Sequence, residues 1–332
     1  MTDRPTARWD EPVDPRTFAE ADAEVDRLYT NGQYQQAYEL LERTWPGLPD
    51  GALHPTMHDC VRFKASLAAR CGHAELAFTI LQAILRSGFS SNLTWSVFDS
   101  LRSLDGFADF ERENEALLAR ERAEATRKLE VCIPEGFDPE EAHPLCLLLH
   151  GDGESADILK GQWSIEPLLA RGFVVAFVQS SQLSFTNHYA WLPDPSVAWT
   201  DVRAAFQELR STYRIVEDQV LLAGFSGGAI TAVDLVFGEA IPAAGFICLC
   251  PEFMPEHFTS EAVPSARDRG VRGVFLEGEL VWPLDDERAM MEEMAAADFP
   301  IKLILNEDIG HSFPADFPAR LDESLDHILI AG

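Results

Sequence analysis

Seven short apolar runs, rich in β-branched side chains, alternate with helical patterns from residue 127 onward. They lie at residues 129–133, 145–149, 173–178, 220–225, 245–250, 274–276 and 301–305. A strand that is apolar at every position, rather than at every second one, has both of its faces buried. Helices between such strands connect parallel neighbours and cover both sides of the sheet. We therefore predict an α/β fold over residues 126–332, with a mainly parallel sheet and helices on both faces.

Residues 1–125 carry a helical pattern instead, with apolar side chains recurring at three- and four-residue spacing. Gly32 precedes Ala37 by five residues, and Gly72 precedes Ala77 by the same distance. A glycine can end one helix, and a small alanine lets the paired helix pack closely. This pattern resembles tetratricopeptide-type helical hairpins. The resemblance implies a platform for docking other proteins, and the alternative is a plain helical cap with no partner. We also expect that copies of the chain could form a homo-oligomer through this region.

The chain is strongly acidic, with 55 Asp and Glu residues against 26 Lys and Arg residues and a net charge of −29. Such a field repels phosphate backbones and anionic lipids, so we expect no nucleic-acid partner. The first fifteen residues are polar and acidic, and no uninterrupted apolar stretch approaches a membrane span. We expect a cytoplasmic protein with no membrane span.

The sequence contains no recognisable metal or cofactor motif. None of the six cysteines forms C-x-x-C, and most lie inside apolar runs, which predicts buried free thiols. There is no H-E-x-x-H motif, and no glycine-rich segment has the spacing of a dinucleotide or P-loop site. We expect neither a metal nor a cofactor.

The motif Gly224-Phe225-Ser226-Gly227-Gly228 stands between an apolar run and a helical run. A serine on a sharp strand-to-helix turn presents its hydroxyl group to a cleft, and the turn leaves no room for side chains two residues before and after it. Gly224 and Gly228 occupy those two positions. Ser226 is therefore a candidate nucleophile.

Two other segments add to this motif. The run at 145–149 ends in His150-Gly151-Asp152-Gly153, and the last predicted strand is followed by Ile309-Gly310-His311. With the serine turn, these segments resemble the α/β-hydrolase family over about residues 127–330, in particular small esterases of the dienelactone hydrolase and carboxylesterase kind.

The resemblance implies a role for each matching position. Ser226 would be the nucleophile and His311 the base, since the family order is serine, acid, histidine. The N–H groups of Asp152, or alternatively Gly153, and of Gly227 would stabilise the oxyanion. His150, which precedes the serine, is interpreted as a structural residue that shapes its loop.

The sequence departs from the family pattern at the acid of the triad, because Val281 occupies the position where the family usually has aspartate. Three carboxylates are alternatives, in this order: Glu279, Asp285 and Glu252. Glu279 lies two residues earlier and would point to the same side of an extended chain. A serine–histidine dyad, or an enzyme that has lost activity, is a fourth alternative.

Tyr189 and Trp191 follow the run at 173–178, in a loop at the carboxyl end of a predicted parallel strand. Loops at that edge line the cleft of such sheets. The two aromatic rings would form one side of an acyl or alcohol pocket, the alternative being that they pack in the interior.

These features predict a serine carboxylesterase that hydrolyses a small or medium carboxylic ester through an acyl-enzyme intermediate. The dienelactone branch of the family usually carries cysteine as nucleophile, and the serine at position 226 favours ordinary ester chemistry. Two alternatives stay open: a peptidase or amidase of the same fold, and a decayed hydrolase that acts as a binding or scaffold protein.

Overall fold

A computed structural model of the protein describes residues 8–282 and 284–329. The α-helices are α1 (Pro15–Thr30), α2 (Tyr34–Thr44), α3 (Pro55–Arg70), α4 (Ala74–Arg86), α5 (Phe107–Glu124), α6 (Ala156–Gln162), α7 (Glu166–Ala170), α8 (Pro195–Thr212), α9 (Gly227–Phe237), α10 (Ala262–Asp268), α11 (Asp285–Ala296) and α12 (Phe317–Ile328). The strands are β1 (Lys128–Cys132), β2 (His143–Leu149), β3 (Val174–Gln179), β4 (Leu183–Phe185), β5 (His188–Tyr189), β6 (Ile215–Phe225), β7 (Gly245–Leu249), β8 (Arg272–Gly278) and β9 (Ile301–Asn306).

The chain divides into two compact units. A helical unit comprises Met1–Glu124 and Leu183–Asn187, and an α/β unit comprises Ala125–Gln182 and His188–Gly332. No pattern in the sequence separates Leu183–Asn187 from its surroundings, so its membership in the helical unit is information that only the structure supplies. That each unit is an independent domain remains a prediction.

The helical unit contains two helical pairs, α1 with α2 and α3 with α4. Gly32 and Gly72 lie between the members of each pair at φ +70° and +79°, a left-handed conformation that glycine adopts without strain. Ala37 and Ala77 are both fully buried. The predicted helical pairs are therefore present, and their kinship with tetratricopeptide repeats stays a prediction.

The segment Leu183–Asn187 is bonded firmly within the helical unit. The N–H of Ser90 donates to Oγ1 of Thr186 at 2.6 Å, and the N–H of Thr186 donates back to Oγ of Ser90 at 2.9 Å. Thr186 also donates its hydroxyl hydrogen to Glu121, at 2.6 Å. Phe185 is buried and contacts the ring of Trp95.

The α/β unit is built on a seven-stranded sheet with the strand order β1-β3-β2-β6-β7-β8-β9. β1 runs antiparallel to β3, and every other neighbouring pair in the sheet is parallel. Each of the seven predicted apolar runs coincides with one of these strands, which confirms the predicted fold class. β6 begins earlier than its run, at Ile215, and its first residues are partly exposed.

Both faces of the sheet are covered, which explains why its strands read as continuous apolar runs. Leu145, Leu147 and Leu149 of β2 belong to one core cluster, and the alternating Cys146 and Leu148 belong to another. Helices α8, α9, α10 and α11 contribute to the first cluster, and α6, α7 and α12 contribute to the second. The six cysteines are free, and four of them are buried.

Neither a membrane-spanning helix nor a metal site is present among the residues that the structure describes. Among the helices in residues 8–282 and 284–329, none is long and apolar enough to cross a membrane. In the same part of the chain, no group of three or more His, Cys, Asp and Glu side chains is arranged to hold a metal ion.

Candidate active site

Ser226 lies at the turn between β6 and α9, with φ 51° and ψ −119°. A residue with a Cβ atom rarely adopts this conformation, which costs about 1–3 kcal/mol and persists only where the surroundings enforce it. The Ser226 N–H is held by the carbonyl oxygen of Leu249, at 2.9 Å. The serine is partly exposed, so the predicted strand–turn–helix geometry around it is present.

The glycines beside Ser226 leave no space for a side chain. A Cβ atom on Gly224 would lie 2.5 Å from the carbonyl carbon of Gly228, and one on Gly228 would lie 2.3 Å from the carbonyl oxygen of Leu149. Both contacts are with backbone atoms, which cannot swing away. The steric reason predicted for glycine at these two positions is confirmed.

His150 has both ring nitrogens engaged in the loop after β2. Its Nδ1 lies 2.7 Å from the carbonyl oxygen of Gly151, and its Nε2 accepts the N–H of Ser180 at 3.2 Å. Complete burial lowers the pKa of His150 to about 4, so the ring is neutral at neutral pH. It ties the loop after β2 to the loop after β3, in agreement with the structural role predicted for it.

Asp152 lies directly against Gly227. A Cβ atom on Gly227 would approach Oδ1 of Asp152 to 2.3 Å. The same carboxylate accepts the N–H of Trp191 at 2.7 Å and that of Leu192 at 3.3 Å, while burial raises the pKa of Asp152. Within the described part of the chain, the N–H groups of Asp152 and Gly227 have no acceptor of their own. Two unpaired donors therefore lie on neighbouring residues beside Ser226.

His311 lies in the loop that follows β9, against the residue that precedes Ser226. Its ring centroid is 5.0 Å from that of Phe225, at an interplanar angle of 39°. Nδ1 of His311 lies 3.1 Å from Oε1 of Glu252, within ion-pair distance, although the N–H direction is not aligned on that oxygen. The structure thus brings together His311, Glu252 and the serine turn.

The other two candidate acids are placed differently. Glu279 is exposed in the turn after β8, and no ion pair joins it to His311 in the residues that the structure describes. Asp285 is the first residue of α11, with its side chain 99% exposed and 3.9 Å from Arg288. Only Glu252, ranked third from the sequence, is found beside the imidazole.

The sequence gives little indication that Glu252 lies beside His311, because the backbone turns sharply before this residue. Cys250 has φ 54°, and the N–H of Glu252 donates to the carbonyl oxygen of Cys250 at 3.1 Å. The turn directs the chain after β7 toward the loop after β9. The tripeptide Cys250-Pro251-Glu252 at the end of a buried strand is the only signal for it that we can identify.

An open cavity of about 230 Å³ has mostly apolar walls, formed by Trp191, Leu192, Ile230, Phe253 and Met254. These residues are chain neighbours of the site: Ile230 follows Ser226 on α9, and Phe253 follows Glu252. Trp191 is one of the residues that line this cavity, and its Nε1 donates to the carbonyl oxygen of His150 at 2.8 Å. That Trp191 contacts a substrate stays a prediction. The cavity is smaller than the 300–1,000 Å³ typical of drug-sized ligands, which suits a small or medium group.

Tyr189, the other predicted wall residue, is not among the residues that line this cavity. Its side chain is buried. Its backbone N–H donates to the carbonyl oxygen of Glu154 at 2.6 Å, and its carbonyl oxygen accepts the N–H of Gly153 at 2.8 Å. Tyr189 thus supports the loop after β2 through its backbone, which a reading of side-chain types cannot reveal.

One end of the cavity is polar. Asp234 accepts the indole N–H of Trp199 at 2.6 Å and the backbone N–H of His257 at 2.9 Å. Nδ1 of His257 lies 3.0 Å from the same carboxylate oxygen. Asp234 is thus fully engaged by protein donors, and its carboxylate is a fixed part of the cavity wall.

Comparisons with known proteins bear on the fold. No protein-family model and no curated protein matches the chain. An uncharacterized protein from Bacillus cereus has a similar structure, with a TM-score of 0.51 and 20% identity over 94% of this chain and 98% of that one. This likeness shows that the fold occurs in another solved structure.

Esterases also occur among the similar solved structures. Est2 from Thermogutta terrifontis has a TM-score of 0.45 and 15% identity, over 63% of this chain and 90% of its own. Its butyrate-bound form has a TM-score of 0.44 and 16% identity, over 62% and 92%. Similarity at this level does not assign a function to the chain.

Proposed function

We propose that this protein is a serine hydrolase that cleaves carboxylic esters through an acyl-enzyme intermediate. The observation that carries the proposal is the arrangement around β6. A strained, partly exposed serine directly follows this strand, the ring of His311 lies against the ring of the residue before that serine, and a carboxylate oxygen lies 3.1 Å from the imidazole Nδ1. Nucleophile, base and orienting acid are the three parts that activated-serine chemistry requires.

The first half-reaction forms the acyl-enzyme. Since Nδ1 of His311 faces Glu252, Nε2 is the nitrogen left to accept the proton from Oγ of Ser226. The serine oxygen attacks the ester carbonyl carbon, and the imidazolium returns the proton to the departing alcohol. Glu252 holds the imidazole in position and stabilises its charged form. It replaces Glu279 and Asp285 as the proposed acid, because no ion pair joins either of them to His311 in the described part of the chain.

The negative charge that develops on the carbonyl oxygen needs donors already in place. We assign this role to the N–H groups of Asp152 and Gly227, which have no acceptor among the described residues. The carboxylate of Asp152 is itself held by the N–H groups of Trp191 and Leu192. Those bonds join the loop after β2 to the segment after β5 and leave the Asp152 N–H available.

The second half-reaction releases the acid. A water molecule gives one proton to His311 and attacks the acyl carbon, and the imidazolium then protonates Ser226 as the acid leaves. The apolar cavity beside α9 suits the hydrocarbon part of a small or medium acyl or alcohol group. The Glu252 side chain is 44% exposed, and this partly solvated acid favours ester cleavage over the more demanding protonation of an amide leaving group.

The test uses the full-length protein, a fluorophosphonate probe, and p-nitrophenyl acetate and butyrate. We expect the probe to label the parent protein, and Ser226→Ala to abolish labelling and reduce ester hydrolysis at least about 1,000-fold. A p-nitroanilide of the same acid measures amidase activity and separates the peptidase alternative. If the folded parent protein is neither labelled nor active, the proposal fails and the decayed-hydrolase reading replaces it.

A further inference from the structure

Two glutamates that the proposed reaction does not use are buried at the carboxyl end of the sheet. Glu277 lies near the end of β8 and is 1% exposed, and Glu287 lies in the first turn of α11 and is 0% exposed. Neither forms an ion pair with Lys, Arg or His in residues 8–282 and 284–329. Carboxylates are almost never fully buried without a cation, so the two need another explanation.

The two carboxyl groups lie close enough that each acts on the pKa of the other through a side-chain hydrogen bond. Oε1 of Glu277 and Oε1 of Glu287 are both buried and have no donor among the described residues. Two carboxylate oxygens can satisfy one another only if a proton lies between them. If both groups were ionised, they would repel each other in a medium of low dielectric constant, where that repulsion is strongest.

The surroundings show where such a proton belongs. Oε2 of Glu287 accepts the N–H of Leu284 at 3.2 Å, at the start of α11, where exposed N–H groups stabilise negative charge. Glu277 faces the thiols of Cys248 and Cys250 from β7 and the turn after it. Burial, and then the neighbouring carboxyl of Glu287, raise the pKa of Glu277, while burial raises the pKa of Glu287. The donor to Glu287 favours Glu287 as the ionised member.

The pair also acts electrostatically on the proposed site. Glu287 interacts with the charges of Glu252 and His311, and Glu277 interacts with that of Glu252. The two thiols of β7 and its turn are further titratable groups beside the pair. A neutral group, the amide of Asn306 on β9, donates to the backbone carbonyl oxygen of Glu277 at 3.0 Å.

We propose that Glu277 and Glu287 share one proton at neutral pH, with the acid on Glu277 donating to the carboxylate of Glu287, and that the single charge of the pair supports the imidazolium of His311. The first part stands on the pair alone, and the second part rests on the proposed function. Both glutamates are positioning residues, because they act on the reacting groups through His311 and Glu252.

The first experiment detects the proton without using activity. Infrared spectra of the full-length protein at neutral pH report the C=O stretch of a protonated carboxylic acid, which is separate from the carboxylate bands. We expect Glu277→Gln to lack a band that the parent protein, Glu287→Gln and the exposed control Glu292→Gln all retain. The shared proton is refuted if Glu277→Gln keeps every carboxylic acid band of the parent protein. It is also refuted if Glu292→Gln loses the same band.

The second experiment measures the charge at the site through the pH dependence of kcat/KM for p-nitrophenyl acetate. Glu287→Gln leaves a neutral pair, so the acid limb of the profile should move to lower pH, by about 0.5–1 pH unit. Glu277→Gln keeps one charge, since its amide donates to Glu287 in place of the acid. The acid limb of its pH profile should therefore lie at the same pH as that of Glu292→Gln. Equal shifts in the two variants, or none in either, contradict the second part.

The two experiments also separate this inference from the proposed function. A carboxylic acid band that depends on Glu277, in a protein that fluorophosphonate does not label, supports the shared proton and refutes the hydrolase. If Glu277→Gln does not fold, the parent protein and Glu287→Gln still test the shared proton. The unfolding free energy of the parent protein must then fall as pH rises through neutrality, which shows that folding takes up a proton. Glu287→Gln must still show the carboxylic acid band.

Discussion

Single residues control how the proposed acid reaches the base. Cys250, at φ 54°, turns the chain after β7 so that Glu252 approaches His311. Glu252 is near the imidazole because of backbone conformation, which the identity of the neighbouring residues does not encode. Val281, at the position where the resemblance places an acid, lies in a turn in which its N–H donates to the carbonyl oxygen of Gly278.

We expect Glu252→Gln to reduce kcat/KM for p-nitrophenyl acetate by about 10²–10⁴-fold, because the imidazole loses the group that orients it and stabilises its charge. Glu279→Gln and Asp285→Asn are the matched controls and should stay within about threefold of the parent protein, since neither side chain contacts His311. A large loss in Glu279→Gln together with full activity in Glu252→Gln would restore Glu279 as the acid.

Gly228→Ala tests the packing of the serine turn. Its new Cβ atom would meet the carbonyl oxygen of Leu149 at 2.3 Å, and that atom belongs to a central strand. We expect a loss of about 1–3 kcal/mol or more in the free energy of unfolding, measured with denaturant. Gly161→Ala, which meets nothing within 4 Å in α6, is the control and should be neutral or stabilising by about 0.5–1 kcal/mol. Equal stability of the two variants would contradict this account of the turn.

At the level of elements, the strands were the most predictable feature and the site loops the least. Burial on both faces leaves a continuous apolar signal, as in Leu145 and Cys146 of β2, which belong to opposite clusters. The sequence offers Ser226 and His311 as candidates because each comes shortly after a predicted strand. The positions of Tyr189 and Glu252 depend on how loops turn in space. Glu277 lies on a strand and Glu287 lies 10 residues later on a helix, so no local sequence pattern pairs these two glutamates.

The pair formed by β8 and α11 should make stability depend on pH. The folded-state pKa of Glu277 is raised above its unfolded value, so the folded state keeps a proton that the unfolded chain releases. The stabilisation is fully present below the unfolded pKa and is lost as pH rises toward the folded one. Between about pH 5 and about pH 8, the contribution falls by up to about 1.4 kcal/mol per pH unit.

Denaturant unfolding across that range measures the effect. Glu277→Gln should show a smaller decline in unfolding free energy with rising pH than the parent protein, and Glu292→Gln should show the same decline as the parent. A Glu277→Gln slope indistinguishable from that of the parent would mean that Glu277 is ionised in the folded protein.

At the scale of the whole molecule, the excess of negative charge dominates. With 55 acidic against 26 basic residues, like charges outnumber their partners, and surface ion pairs such as Arg171 with Asp326 neutralise only some of them. Self-repulsion destabilises the compact state and is screened by salt. We expect the midpoint of thermal unfolding to rise between low ionic strength and about 0.5 M NaCl, and calorimetry would show it. A constant or falling midpoint would mean that the acidic side chains are spaced widely enough not to repel.

The short segment Leu183–Asn187 ties the two units together in a way that linear domain boundaries conceal. The chain passes from one unit to the other after Glu124, after Gln182 and after Asn187. Cutting the gene near residue 125 would deprive the helical piece of the partners that Ser90 and Glu121 have in Thr186. The other piece would carry Leu183–Asn187, including the apolar Phe185, without the residues on which this segment packs. Neither unit can therefore be exchanged between proteins as a module by a single crossover, and the two are expected to be inherited together.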